Sequence, residues 1–117
     1  MSIKRVQPGP RMSQAVIHNG LVFLAGQVAK DTSQDTAGQT RDVLASIDAL
    51  LAEAGTDKTR LLTATIYLAD MADFPAMNGV WDAWVVAGQT PARATVQASL
   101  ATSAYKVEIM VTAALAQ

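Results

Sequence analysis

Alternation and helical spacing divide the chain into a regular succession of elements. Ala15 to His18 and Leu21 to Leu24 are apolar runs separated only by Asn19-Gly20. That pair tolerates positive φ at both central positions of a tight turn, so the two runs predict a β-hairpin. Gly26 interrupts the second arm, Leu21 to Ala29, and marks either a bulge or a place where a ligand comes close to the backbone. From Thr36 the period lengthens. Val43, Leu44, Ile47, Leu50, Leu51 and Ala54 recur at helical spacing, with Thr36 and Gln39 placed as a capping box and Gly55 as the stop. Leu62, Ala64, Ile66 and Leu68 then alternate with Thr63, Thr65 and Tyr67, the mark of a half-buried strand. A second helix is predicted from Asp73, which would cap it, to Gly88. It carries Phe74, Met77, Trp81, Trp84 and Val85 on the stripe a helix must bury and tolerates Pro75 in its first turn.

Two further runs close the chain. In the first, Ala94, Val96, Ala98 and Leu100 fall on one face while Arg93, Thr95, Gln97 and Ser99 fall on the other. In the second, Val107, Ile109, Val111 and Ala113 form an apolar face and Glu108, Met110, Thr112 and Ala114 lie opposite. Paired as neighbours, these strands would put the Arg93 guanidinium and the Glu108 carboxylate on one face. Arg93 could then read a planar carboxylate or phosphate through two parallel hydrogen bonds, and Glu108 could hold a water or move a proton. The plainer alternative makes both residues solvated surface groups or charges that guard a sheet edge.

The order strand, hairpin, helix, strand, helix, strand, strand contains two strand-helix-strand connections. It predicts an α+β domain whose mixed sheet is partly parallel, with right-handed crossovers and both helices on one face. Thr63, Thr65, Tyr67, Arg93, Thr95, Gln97 and Glu108 would line the other face. No third layer is left in the chain to cover it, so a partner subunit is expected.

Size and charge narrow the function. At 117 residues the chain is expected to form one domain, residues 1–117. Nine Lys and Arg against ten Asp and Glu give a net charge of -1, which offers no basic field to a nucleic-acid backbone. There is no cysteine and His18 is the only histidine, so thiolate metal sites, a cysteine nucleophile and a histidine-rich metal site are not expected. The charged N-terminus has no apolar run behind it and no stretch is long enough to span a bilayer, which suggests a cytoplasmic protein without a membrane partner.

Ser13-Gln14-Ala15-Val16, Ala25-Gly26-Gln27, Asp73-Phe74 to Asn78, Pro91-Ala92-Arg93 and Val107-Glu108-Ile109 together resemble the motifs of the Rid family, the reactive intermediate deaminases also called YjgF-like proteins. The resemblance runs over essentially the whole chain. It implies a chorismate-mutase-like fold and a homotrimer whose sheets close around a central barrel, with ligand clefts between subunits. It also implies hydrolysis of enamines and imines such as 2-aminoacrylate to 2-oxo acids and ammonia, without a cofactor. Carried over, Arg93 clamps the substrate carboxylate, Glu108 positions the attacking water or relays its proton, the Gly26 backbone borders the cleft and Asn78 supports the pocket. Met12 and Thr95 take binding positions where the deaminating members have tyrosine and cysteine, and Ala25 replaces their serine. With Trp81-Asp82-Ala83-Trp84, these differences make the chain resemble a less characterised YjgF-like branch. Three readings follow: imine hydrolysis, non-catalytic binding or sensing of a small carboxylate, and the RNA cleavage or translation inhibition proposed for some relatives, which the net charge disfavours.

Overall fold

In the computed structural model, which describes residues 2–116, the hairpin turn forms as the sequence predicts: Asn19 and Gly20 take φ of 54° and 77°. It joins β2 (Ser13–His18) to β3 (Leu21–Leu24), and β1 (Lys4–Pro8) pairs antiparallel with β2 on the outer side. After a break at Ala25-Gly26 the strand resumes as β4 (Gln27–Val28). Helix α1 (Thr36–Ala54) leads to β5 (Leu61–Leu68), and α2 (Phe74–Trp84) leads to β6 (Ala92–Gln97) and β7 (Val107–Ala114). The sheet order is β1-β2-β3-β7-β5-β6, with β4 also on β7. β5 and β6 are parallel, joined through α2, whereas β3, β4 and β5 all run antiparallel to β7. The α1 crossover therefore joins two like-directed strands that flank β7 without touching each other. No helix among the described residues is long and apolar enough to cross a membrane.

Both helices pack on one face. Val43, Leu44, Ile47 and Leu51 of α1 and Met77 and Trp81 of α2 are buried with Ala64, Ile66 and Leu68 of β5 and Val107, Ile109, Val111 and Ala113 of β7. Strand alternation sends the intervening residues to the other face, where Phe23 and Met110 are 44% and 39% exposed. One residue departs from the expected alternation. The register shifts between Leu61 and Thr63, so Leu61 is buried and Leu62, expected inside, is exposed; the extra residue of a bulge exchanges the two faces.

The helix ends also differ from the sequence reading. Asp35, not a Thr36–Gln39 box, caps α1, its carboxylate accepting from the Gly38 N–H at 2.9 Å. Gly55 does end it, in the left-handed region at φ 94°, with Gly55 and Thr56 donating to the carbonyls of Ala52 and Leu51; this is a Schellman closure. Asp73 makes no side-chain cap; Asp70 caps the single 3-10 turn before α2 instead. α2 stops at Trp84, short of Gly88, where the Lys58 ammonium donates to the Trp84 carbonyl at 2.7 Å. A cation on the last carbonyls complements the helix dipole and closes the end earlier than a glycine would.

Gln39, freed from capping, is fully buried. Its amide donates to the carbonyls of Ala104 at 3.0 Å, Gln34 at 3.3 Å and Thr32 at 3.4 Å, and its oxygen accepts from the Lys106 N–H at 2.9 Å. One side chain thus ties the start of α1 to the segment that launches β7. Gln39→Leu keeps the bulk but strands the Lys106 N–H and the Ala104 carbonyl, and an unmet buried backbone group costs about 1–3 kcal/mol. We expect denaturant titration to show a stability loss of about 2–4 kcal/mol; a loss well under 1 kcal/mol would remove Gln39 from this role.

Candidate functional site

The sequence-derived residues fall into two groups. β6 is an edge strand whose register sets Arg93 beside Ala64, Thr95 beside Ile66 and Gln97 beside Leu68. Partners in a parallel pair project to the same face. Because Ala64, Ile66 and Leu68 are buried against the helices, Arg93, Thr95 and Gln97 lie on the helix side, and Ala94 and Val96 on the open side. The sequence reading had these faces exchanged. α2 and the turn before it explain the outcome, because they offer partners to Arg93 and Gln97. Phe74, Asn78 and Trp81 recur at helical spacing along α2. Arg93 Nη1 donates to Asn78 Oδ1 at 2.8 Å, and the guanidinium carbon lies 5.4 Å from the Trp81 ring centre and 5.9 Å from that of Phe74. Gln97 accepts from the Met71 N–H at 2.9 Å. Thr95 Oγ1 is buried and has no hydrogen-bond partner.

This arrangement fixes the guanidinium without cancelling its charge. The acceptor is a neutral amide and the rings supply cation–π contact, worth about 0.5–1 kcal/mol at an exposed site. Arg93 itself stays exposed. A planar fork so held needs little further ordering to take a carboxylate in two parallel bonds. Trp81 is a core residue, as the helical stripe predicts, and Phe74 packs against the core; their spacing around Asn78 gives both a second role beside Arg93.

The other group gathers around Glu108. Its strand neighbours Val107 and Ile109 are buried, and its cross-strand partner is Tyr67, so its carboxylate belongs to the open face. There it lies on Gly26. A methyl group on Gly26 would overlap the carboxylate, standing only 3.0 Å from Glu108 Cδ. Space, not a positive φ, is what glycine supplies here, since the positive values occur at Gly20, Gly55 and Gly88. The Ala25-Gly26 break is anchored on both sides. The Ala25 N–H donates to the Gln14 carbonyl at 2.9 Å, and the Gln27 amide donates to Gln14 Oε1 and to the Ala25 carbonyl at 3.0 Å each. Met12, in the β1–β2 connection at this end of the sheet, is 56% exposed, and its carbonyl accepts from the Gly9 N–H at 2.7 Å.

Within one chain, then, Arg93, Asn78 and Thr95 stand together on the helix side of one edge, while Gly26 and Glu108 stand on the open face, with Met12 at the opposite edge connection. The expected sharing of a face by Arg93 and Glu108 does not occur, because β5 separates their strands and alternation turns them apart. A groove of about 550 Å³ between α1 and α2, lined in part by Leu44, Lys58, Val80 and Trp84, contains neither group. His18 contacts the Ser2 carbonyl at 3.1 Å and belongs to neither.

Comparison with known proteins extends the picture. A family model described as Endoribonuclease L-PSP matches residues 2–115. A RutC family protein of Haemophilus ducreyi is 48% identical over 113 residues, 97% of each chain. The crystal structure of a member of the YjgF protein family from Neisseria meningitidis superposes with a TM-score of 0.96 at 53% identity, covering 100% of this chain and 98% of that one. A protein named Reactive Intermediate Deaminase A, chloroplastic, of Arabidopsis thaliana is 35% identical over 103 residues, 83% of this chain and 54% of its own length.

The Arg93 geometry can be tested alone. Asn78→Asp would place a carboxylate against the guanidinium and occupy it internally. The variant is expected to fold normally and, in calorimetric titration, to bind a small 2-oxo acid about 10-fold or more weaker, the effect of losing roughly one charge-assisted hydrogen bond. Unchanged binding would mean that Arg93 is not the anion receptor.

Proposed function

The chain belongs to the Rid/YjgF family, and from that premise we propose that it hydrolyses enamine and imine intermediates of the 2-aminoacrylate type to 2-oxo acids and ammonia. The observation that carries this reading is the Arg93 guanidinium, held by Asn78, Phe74 and Trp81 with its charge left available. The name of the Arabidopsis relative supports the reaction class. Arg93 binds the carboxylate of the imino acid, which fixes the C2 carbon. An enamine first tautomerises to this imine, C3 gaining a proton from solvent as one leaves the nitrogen; Glu108 then takes a proton from a water as the water oxygen bonds to C2, and the C=N electron pair moves to nitrogen, which takes a proton from solvent. Collapse of the resulting carbinolamine restores a C=O bond and releases ammonia. The substrate is already electrophilic, so orientation and one proton-transfer group supply what the reaction needs.

Because Arg93 and Glu108 leave opposite faces of the sheet, we propose further that each site joins Arg93 of one chain to Glu108 of a neighbour in a cytoplasmic homotrimer. The exposed Phe23, Leu62, Val96 and Met110 support burial of the open sheet face in such an assembly. Met12 and Thr95 border the cleft. The second reading, a carboxylate binder without catalysis, is favoured by the apolar Met12 and Ala25, which leave the cleft fewer polar groups. The family model's description names an endoribonuclease, but a chain of net charge -1 offers nucleic acid little attraction.

Ammonia release should be followed while an amino acid oxidase generates imines in situ. The protein is expected to accelerate it, and Glu108→Gln to lose about 10²-fold of that acceleration while still binding a 2-oxo acid. Equal activity in the Gln variant would make Glu108 structural; no acceleration by the wild type, with binding retained, would favour the binder. Subunit mixing tests the shared site. Arg93→Ala and Glu108→Gln chains refolded together in equal amounts should recover about a quarter of wild-type sites, as random heterologous assembly of one mutant half with each intact partner half gives. No recovery would contradict a site built from two chains.

A further inference from the structure

We infer that Gly26 is the positioning residue for Glu108: its missing side chain is the seat of the carboxylate, and its task is to aim that group, not to make room for substrate. The inference rests on the hydrolytic reading of Glu108. Three observations carry it. First, the space a Cβ would fill at Gly26 is taken by the Glu108 carboxylate, with Cδ at 3.0 Å and Cγ at 3.3 Å. Second, the backbone on either side cannot easily withdraw. Ala25 is bonded to Gln14 of β2, and Gln27 and Val28 pair with Ile109 and Glu108 of β7. Third, Gly26 does not use the conformational freedom for which glycine is usually required in a break of this kind, since its φ is not positive.

A side chain at position 26 must therefore move something, and the freest neighbour is the end of the glutamate. It can rotate about its own χ angles, whereas the backbone is held by sheet hydrogen bonds at both flanks. Gly26→Ala should leave the fold in place and swing the carboxylate off its seat. The general base would then be chemically intact but misplaced. A shift of about 1 Å in a catalytic group can cost on the order of 10²-fold in rate. Carboxylate recognition at Arg93 would be untouched, because that guanidinium is held by Asn78, Phe74 and Trp81 of its own chain and not by Glu108.

The test combines a crystal structure of Gly26→Ala with kinetics of imine hydrolysis. The structure is expected to show residues 25–28 unmoved and the Glu108 carboxylate displaced; a carboxylate still in its original place, with the backbone shifted instead, would overturn the inference. In kinetics, kcat should fall about as far as in Glu108→Gln, roughly 10²-fold, with KM unchanged. The double variant Gly26→Ala with Glu108→Gln should fall no further, because both substitutions remove one function. A raised KM with kcat intact, or losses that multiply in the double variant, would show that Gly26 serves the substrate directly and would refute a positioning role. Failure of the hydrolytic reading itself appears separately, as wild-type protein that does not accelerate hydrolysis at all.

Discussion

Successive side chains of a strand leave a sheet on opposite faces, and a side chain cannot reach through the sheet it stands on. That constraint governs the molecule. β5 lies between β6 and β7; its register with β6 aligns Arg93 with the buried Ala64, and its register with β7 aligns Glu108 with Tyr67 on the other face. The two residues whose chemistry is most readily combined are thereby kept apart in the single chain. β6 is an edge strand, and Phe23, Val96 and Met110 stand exposed on the sheet face away from the helices.

Each half is held in its own way. On the helix side α2 supplies a neutral hydrogen-bond acceptor and two aromatic rings to one guanidinium, which limits its motion and keeps its charge available. On the open side the control is steric: the carboxylate of Glu108 occupies the space that Gly26 leaves. The Arg93 arrangement depends on the helix layer being fixed relative to the sheet. Gln39 contributes to this by joining α1 to the segment just before β7, so Lys106, the residue that precedes the glutamate strand, is anchored to the first turn of a helix.

Much of this was legible in the sequence where a local rule had a single outcome. Asn19-Gly20 fixed the hairpin turn, Gly55 fixed the end of α1, and the helical stripe of Val43, Leu44, Ile47 and Leu51 identified its buried side. Elsewhere the outcome depended on partners distant in sequence. Alternation gave the two faces of β6 but not which one meets the helices. The answer came from Asn78, Phe74 and Trp81 on a separate element. Leu61 and Leu62 are equally apolar, and a register shift against β7 chose between them. Gln39 has the spacing of a capping residue and the actual cap is Asp35, because the glutamine side chain finds four backbone partners across the chain. Gly26 was visible as an irregularity; only the fold shows that its neighbour is Glu108. For the candidate site, the residue types were readable and their division between two faces was not, because it follows from the insertion of β5 between strands that are consecutive in the chain.

The most direct measurement is a crystal structure of the protein with a small 2-oxo acid bound, as a stand-in for the product of imine hydrolysis. The account predicts a ligand whose carboxylate is paired with the Arg93 guanidinium of one chain and whose carbonyl carbon lies within water-bridging reach of Glu108 from a neighbouring chain. A ligand held by Arg93 with no second chain within contact distance, or one bound away from Arg93 altogether, would contradict it.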